Sequence, residues 1–169
     1  MAEIISNAAL KQGYDVKEAE LHGLAQRGGS LECHIRLGKK ISSPLITRGK
    51  ADLIIALEAT EALRACYWAN KKTVILTNSK IFRINTNLKR ILNKIKGITK
   101  NLHVVNADEI VKKITRDITA VNIFMLSYAL SRGLLPIKKE FVWKAIEEKI
   151  RKRFLEENKK VFEEAVKKK

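Results

Sequence analysis

Two segments of the chain are apolar almost throughout and predict strands that are buried on both faces. Residues 51–57 (ADLIIAL) contain one charged residue, Asp52, and residues 73–77 (TVILT) contain none. Such runs are typical of a parallel sheet that helices cover on both sides. Residues 102–105 (LHVV) predict a third, shorter strand. The centre of the chain therefore predicts the middle of a parallel sheet.

Most of the remaining chain has apolar residues at intervals of three and four, which predicts amphipathic helices. Residues 3–12 show this pattern, and Gly13 follows in the position of a helix C-cap. Asn106 is placed to cap the helix that begins at residue 107. Further helices are predicted over residues 58–68, 87–95, 107–114, 121–130, 138–150 and 155–166.

Two more strands are predicted on either side of a glycine-containing stretch, over residues 15–20 and 31–37. In the second of these strands apolar and polar residues alternate, so we expect a buried apolar face and a polar face that carries His34. Residues 23–30 (GLAQRGGS) separate the two strands. The paired glycines in this stretch break either regular element, and we expect it to be irregular.

Alternating strands and helices of these lengths predict an α/β fold, with helices flanking a mainly parallel sheet in three Rossmann-like layers. We assign this domain to residues 1–137. Residues 138–169, which follow Pro136, are predicted to form a C-terminal helical extension.

Composition places the chain among globular proteins, since 46% of its 169 residues are hydrophobic and 31% are charged. No apolar run approaches the roughly 18 residues that a membrane-spanning helix needs. Residues 1–5 lack the basic stretch and the long apolar segment of a signal peptide. We therefore expect a cytoplasmic protein without a membrane partner.

The cysteine content limits the chemistry available to the chain. It has two cysteines, Cys33 and Cys66, which are too few for a disulfide framework. An iron–sulfur cluster usually takes four thiolates, so this chain alone does not supply enough. The adjacent Cys33 and His34 do not form a zinc signature, because neighbouring residues of a strand point to opposite faces. We expect no metal site in this chain.

The formal net charge of +16 is unevenly distributed along the chain. Residues 1–80 carry 12 Lys and Arg against 8 Asp and Glu, whereas residues 81–169 carry 22 against 10. This asymmetry suggests an acidic partner, which can be a protein, a phosphorylated ligand or a nucleic acid. The alternative is a solvated surface of the kind that is enriched in hyperthermophilic proteins.

Between residues 80 and 100 the cations occur without an intervening acid, and a solvated helix is the favoured interpretation of this segment. Arg90 and Lys94 are four residues apart and share a helical face, which Gly97 then interrupts. The seven cations of this segment are Lys80, Arg83, Lys89, Arg90, Lys94, Lys96 and Lys100.

Motifs of an independent active site are missing from the sequence. It contains no GxGxxG, no GxxxxGK[ST], no HExxH and no GxSxG. The carboxylates of the predicted helices alternate with lysines, which favours a solvated face over a catalytic pair. We therefore expect no catalytic residue in this chain.

One stretch, from His22 to Ser30, combines an imidazole, an amide and a guanidinium with three glycines. Gly28-Gly29 exposes backbone N–H groups and permits close approach of a ligand or another chain. Arg27 offers a planar fork suited to a carboxylate or a phosphate. A tight turn with an exposed arginine explains the same residues equally well.

The run in residues 20–30 (ELHGLAQRGGS) closely resembles the small subunit of indolepyruvate:ferredoxin oxidoreductases and, more broadly, the gamma subunits of 2-oxoacid:ferredoxin oxidoreductases. The resemblance covers nearly the whole chain, and HGLAQRGG is its most specific part. One matching segment precedes this run, at residues 13–17, and others follow it in order at residues 34–38, 43–46, 49–52, 58–64, 122–126 and 134–137.

The sequence departs from this family at its start. Family members usually begin with a strand and a loop of GxGGQG type before the helix with which this sequence opens. We therefore expect the family's first strand to be lacking, and no phosphate-binding role of that loop is carried over. Either the chain is shortened at its start, or another segment fills the position of that strand.

The resemblance implies a subunit that binds no cofactor of its own. Thiamine diphosphate and iron–sulfur clusters would then reside in a large partner subunit. Coenzyme A would be the co-substrate, and ferredoxin would bind to the complex. Either an acidic ferredoxin or the diphosphate of coenzyme A would suit the basic segment. The resemblance also implies a loop that contacts the partner or the coenzyme A entrance, made of His22, Gln26, Arg27, Gly28, Gly29 and Ser30.

Three alternatives remain open at this point. The chain could be the gamma subunit of a pyruvate or 2-ketoisovalerate enzyme instead of an indolepyruvate enzyme. A basic nucleic-acid-binding protein fits the charge, but the sequence has no recognised nucleic-acid motif and only 6% aromatic residues, so we do not expect a nucleic-acid partner. A self-sufficient nucleotide-binding oxidoreductase needs a glycine-rich loop that the sequence lacks.

Overall fold

The computed structural model describes residues 1–22, 31–82, 86–116 and 118–167. The chain divides into two compact units. The first consists of Met1–Ile46 and Ile137–Lys152, and the second consists of Thr47–Pro136 and Arg153–Lys169. Within the described residues, no helix is both long enough and apolar enough to cross a membrane.

The first unit is built on a helix and a β-hairpin. Helix α1 (Ala2–Lys11) buries one apolar face, made of Ile4, Ile5, Ala8 and Ala9, against the hairpin and helix α6 (Lys139–Lys149). Strands β1 (Asp15–His22) and β2 (Leu31–Gly38) pair in antiparallel register from Asp15 opposite Gly38 to His22 opposite Leu31.

Helix α1 is linked to β1 by a turn at Gly13, whose φ of 93° lies in the left-handed region that glycine adopts without strain. Polar contacts also join α1 to α6. The Lys11 ammonium donates to Glu148 at 2.8 Å, and Lys149 pairs with Glu3. Helix α6, although distant in sequence, is therefore an integral part of the first unit.

The second unit contains the parallel sheet. Its strands β3 (Leu53–Ala56), β4 (Val74–Asn78) and β5 (Leu102–Val105) lie side by side in chain order, with β4 in the middle. Ile75 and Leu76 of the middle strand are fully buried. The helices of this unit are α2 (Ala59–Ala65), α3 (Leu88–Lys96), α4 (Ala107–Ile114), α5 (Val121–Ser131) and, from Arg153 on, α7 (Lys152–Lys167).

The core of the second unit lies between the sheet and helices α4, α5 and α7. Leu76 of β4 belongs to one buried cluster with Phe124 of α5 and Val161 of α7. Helix α5 buries nearly all of its residues, in agreement with its apolar sequence. Helix α7 therefore contributes to this core with its apolar stripe.

The α/β fold with a parallel sheet is confirmed, and every described strand and helix falls close to a predicted one. The helix predicted over 58–68 ends earlier, at Ala65, and a 3₁₀ turn Cys66–Trp68 follows. The strands flanking residues 23–30 form a separate two-stranded sheet, a pairing that the sequence did not assign. The division into residues 1–137 and 138–169 stays a prediction, and the compact units divide the chain differently.

The predicted faces of β2 require a correction. The alternation placed His34 on a polar, solvated face, whereas His34 is 3% exposed and Leu31 is 59% exposed. The segment that follows β2 covers the imidazole and hydrogen-bonds to it, as described below. A local alternation pattern does not reveal such a covering segment, which was the reason for the error.

Candidate functional site

Residues 23–30 join the strands of the hairpin at the end where His22 lies opposite Leu31. The residues of the predicted contact loop, Gln26, Arg27, Gly28, Gly29 and Ser30, lie outside the described residues, as does the side chain of His22. The assignment of this loop therefore stays a prediction. The described residues next to it include Leu21 and Leu31, which are 38% and 59% exposed.

The hairpin that carries this loop is held to the next segment through a buried histidine. The N–H of Ile46 donates to Nδ1 of His34 at 3.1 Å, so that Nδ1 is the acceptor. The Nε2 atom then carries the proton and donates to Glu32 at 2.8 Å. Asp15 accepts the N–H of Ile41 at 2.7 Å and adds a second link. Residues 41–46 therefore brace the hairpin by directed hydrogen bonds.

A second polar cluster lies at the carboxyl ends of the parallel strands, where open α/β sheets commonly bind ligands. Its centre is Asn78, the fully buried last residue of β4. Its side-chain amide donates to the carbonyl of Leu57 at 3.1 Å and to the carboxylate of Asp108. Its side-chain oxygen accepts the N–H of Ala107 at 3.1 Å. One carboxamide thus links β4 to Leu57, directly after β3, and to Ala107, the first residue of the helix that follows β5.

Asp108 connects this cluster to a cation. Lys80 approaches the carboxylate at 3.1 Å, and the pair is partly exposed. Burial of Asp108 taken alone raises its pKa, but hydrogen bonds from Asn78 and Lys80 and the charges of Lys80 and Lys112 outweigh this effect. The pKa of Asp108 is lowered as a result, and the carboxylate is ionised at neutral pH.

Glu58 organises the other side of the cluster. It is 8% exposed, and its Oε1 accepts the N–H of Phe82 at 3.0 Å and the hydroxyl of Thr60. The Phe82 ring is 72% exposed, with the Lys80 ammonium 4.5 Å from its centre. Glu58 therefore holds the backbone at Phe82, Asp108 holds the side chains of Asn78 and Lys80, and the Phe82 ring reaches solvent.

Asn78 and Asp108 were not predicted as site residues, although the sequence contains a signal for them. Asn78 ends one buried strand, and Asp108 stands three residues after the end of the next strand, Val105. In a parallel sheet these positions meet at one edge. The hydrogen-bonding groups of Asn78 are all used within the chain. We therefore interpret this cluster as structural, holding together the carboxyl-terminal edge of the parallel sheet.

The two cysteines do not fit a metal or an iron–sulfur cluster. Burial, and the nearby carboxylates Glu20 and Glu18, raise the pKa of the Cys33 thiol, and burial alone raises the pKa of the Cys66 thiol. A raised pKa disfavours the thiolate that binds metals. In the part of the chain that the structure describes, no group of three or more His, Cys, Asp or Glu is arranged to hold a metal ion. The absence of a cofactor from this chain stays a prediction.

We expect Asn78→Ala to lower the free energy of unfolding by about 3 kcal/mol, because the buried groups of Leu57 and Ala107 lose their partner. Asn101→Ala serves as the control, since Asn101 is exposed and its amide donates to the carbonyl of Lys72 at 3.2 Å. Urea unfolding of both variants measures the difference. Equal losses of stability in the two variants would show that the buried hydrogen bonds of Asn78 add no more stability than the exposed bond of Asn101.

The lowered pKa of Asp108 predicts a pH-dependent contribution to stability. The folded state favours the carboxylate, so the contribution is complete above the unfolded-state pKa and is lost as the pH falls through the lowered value. We expect Asp108→Asn to be less stable than the unsubstituted chain by about 1 kcal/mol at neutral pH. The difference should shrink in acid, as followed by urea unfolding.

The exposed Asp52, substituted as Asp52→Asn, is the matched control for this pH series. It removes one negative charge outside the Asn78 cluster, so equal effects of the two substitutions would mean that the lost charge alone is responsible. A constant gap between Asp108→Asn and the unsubstituted chain at all pH values would refute the assignment.

Comparison with known proteins gives matches along the whole chain. The family model described as pyruvate ferredoxin/flavodoxin oxidoreductase matches residues 1–168. A curated relative from Archaeoglobus fulgidus, named indolepyruvate oxidoreductase subunit IorB, is 35% identical over 94% of this chain and 83% of its own length. A protein of the same name from Methanothermobacter thermautotrophicus is 29% identical over 94% of this chain and 85% of its own length.

A solved structure agrees with this result at the level of the fold. The gamma subunit of a keto/oxoacid ferredoxin oxidoreductase from Geobacter sulfurreducens PCA superimposes with a TM-score of 0.70 at 18% identity. The match covers 98% of this chain and 86% of that one. By the extent of the family match and the identity to the first of these relatives, the chain belongs to the pyruvate ferredoxin/flavodoxin oxidoreductase family.

Proposed function

We propose that this chain is the small subunit of a cytoplasmic indolepyruvate:ferredoxin oxidoreductase. The observation that carries this proposal is the 35% identity to an indolepyruvate oxidoreductase subunit over 94% of the chain, within a family match to residues 1–168. In the proposed reaction an aryl pyruvate and coenzyme A give an acyl-CoA and CO₂, and ferredoxin accepts the two electrons.

The proposal assigns the redox and decarboxylation chemistry to a large partner subunit. Thiamine diphosphate and iron–sulfur clusters are the cofactors suited to it, and the partner would carry both. The chemistry of this chain supports that division of labour, because burial raises the pKa of the Cys66 thiol and burial with nearby carboxylates raises that of Cys33. We derive no reaction step through residues of this chain.

The role proposed for the chain itself is to dock on the large subunit through the end of the hairpin. The braced strands β1 and β2 provide a fixed base for the contact loop, which is made of His22, Gln26, Arg27, Gly28, Gly29 and Ser30. The exposed Leu21 and Leu31 beside it supply apolar area, which protein interfaces bury. The loop would then lie at the interface or at the coenzyme A entrance.

Reconstitution with the large subunit of an indolepyruvate:ferredoxin oxidoreductase tests the proposed function. We expect the complex to oxidise indolepyruvate with coenzyme A and ferredoxin, and the large subunit alone to be much less active. The ratio kcat/KM should be highest for the aryl substrate. A preference for pyruvate or 2-ketoisovalerate would favour a gamma subunit of those enzymes instead, and a complex inactive with every 2-oxoacid would refute the proposal.

The contact loop is tested in the same complex by Arg27→Ala. We expect lower turnover or weaker assembly, by about tenfold, because the guanidinium fork no longer binds a carboxylate or phosphate of its partner. Arg48→Ala is the control, because Arg48 is an exposed arginine outside the loop whose guanidinium lies 4.9 Å from the Tyr67 ring.

The isolated Arg27→Ala chain should unfold at the same temperature as the unsubstituted chain. Activity and assembly that remain unchanged in Arg27→Ala would remove Arg27 from the proposed contact loop.

A further inference from the structure

Helix α3 presents one continuous basic face to solvent. Its cations Lys89, Arg90, Lys94 and Lys96 are all exposed, whereas Ile91 and Ile95 are buried on the opposite side. At 3.6 residues per turn the four cations fall within an arc of about 160°. These four residues are called the α3 basic face below.

The surroundings of this face in the sequence contain no compensating charge. Residues 62–107 hold ten Lys and Arg and not one Asp or Glu. Within the described residues, none of the four cations of the α3 basic face forms an ion pair. On helix α2, which packs against α3, Glu61 pairs with Arg64 at 3.1 Å. The positive charge of the face is therefore not neutralised by its own element.

Helices α6 and α7 differ from α3 because they carry charges of both signs. Residues 139–167, which form α6 and α7, hold nine Lys and Arg and seven Glu, interleaved along both helices. Interleaving is the expected pattern of a surface that only has to be solvated. On α3, Arg90 and Lys94 stand four residues apart as like charges, a spacing that destabilises a helix. General solvation does not account for this single-sign face.

We propose that the α3 basic face is a docking surface for an acidic protein, namely the soluble electron carrier that accepts electrons from the complex. This inference rests on the proposed function, which requires such a carrier. A small patch of one charge sign is suited to a transient complex, because it speeds encounter and orients the partner while adding little affinity. Complexes of electron-transfer proteins are among the smallest protein interfaces.

The shape and chemistry of the face favour a protein over a small anion or a nucleic acid. The face contains three lysines and one arginine, so it has little of the forked geometry that binds phosphate in two places. Asn87 and Asn93 join Lys89, Arg90 and Lys94 around a shallow depression of about 500 Å³, which is open to solvent and does not enclose a ligand. Helix α3 carries no aromatic residue on which a base could stack.

The test is a charge-reversal variant, Lys89→Glu with Arg90→Glu and Lys94→Glu, in the reconstituted complex. We expect the KM for ferredoxin to rise about tenfold at low ionic strength, because three attractive charges become repulsive. In the unsubstituted complex the same KM should rise with salt, and the variant should lose most of that dependence. The KM values for indolepyruvate and coenzyme A should not change.

A matched control reverses three exposed lysines on the interleaved helix α7, as Lys159→Glu with Lys160→Glu and Lys167→Glu. It changes the net charge by the same amount, so its KM for ferredoxin should rise less than about twofold if position matters more than total charge. Equal effects of the two triple variants would overturn the docking surface. So would an effect that is confined to the KM for coenzyme A, which would indicate a small anion as the ligand.

Turnover with a small viologen dye separates this inference from the proposed function. A complex that reduces the dye but shows unchanged ferredoxin kinetics in the α3 variant overturns the docking surface alone. An unsubstituted complex that reduces neither the dye nor ferredoxin contradicts the proposed function, and the docking surface with it.

Discussion

The carboxamide of Asn78 holds together the edge of the parallel sheet on which the second unit depends. It is fully buried at the end of the middle strand and bonds to residues that follow both neighbouring strands. A buried amide is stable only when its donors and acceptor are all used, and here the backbone of Leu57 and Ala107 and the carboxylate of Asp108 use them. The polar cluster at this edge is thus an internal support, and it leaves Lys80 and Phe82 at the surface.

Much of the fold was predictable because its signals are local. The caps Asn87 and Asn106 accept the N–H groups of Arg90 and Glu109, as capping residues three positions before those groups should. The apolar runs of β3 and β4 predicted a buried parallel sheet, and the structure confirms it. These features follow from the spacing of residues within one element.

The features that sequence reasoning missed depend on residues far apart in the chain. His34 was assigned to a solvated face because nothing near it in sequence reveals that Ile46 covers and binds it. The structural role of Asn78 was missed because one of its partners, the N–H of Ala107, lies 29 residues later in the chain. Of the candidate site, the contact loop is an expectation from the family resemblance, and the basic segment follows from a run of cations without an acid. Pairing of the hairpin strands, which brings the ends of that loop together, required the structure.

The described residues of this chain contribute to its shape and its surface charge, and we assign no catalytic role to them. Buried Asn78 supports the neighbouring backbone, the pKa values of both thiols are raised, and helix α3 carries four cations and no acid, whereas helices α6 and α7 carry charges of both signs. In the complex that we propose, this chain orients other molecules, and the large subunit carries out the chemistry. Arg83, which belongs to the same basic segment, lies outside the described residues.

The most direct test of this claim is the isolated chain, purified and assayed without its partner. Its visible absorption spectrum, its iron and sulfide content and its turnover of indolepyruvate with coenzyme A and a viologen dye are measured together. We expect a colourless, metal-free and inactive protein. A chain that oxidises a 2-oxoacid alone, or that retains a tightly bound redox centre, would contradict it.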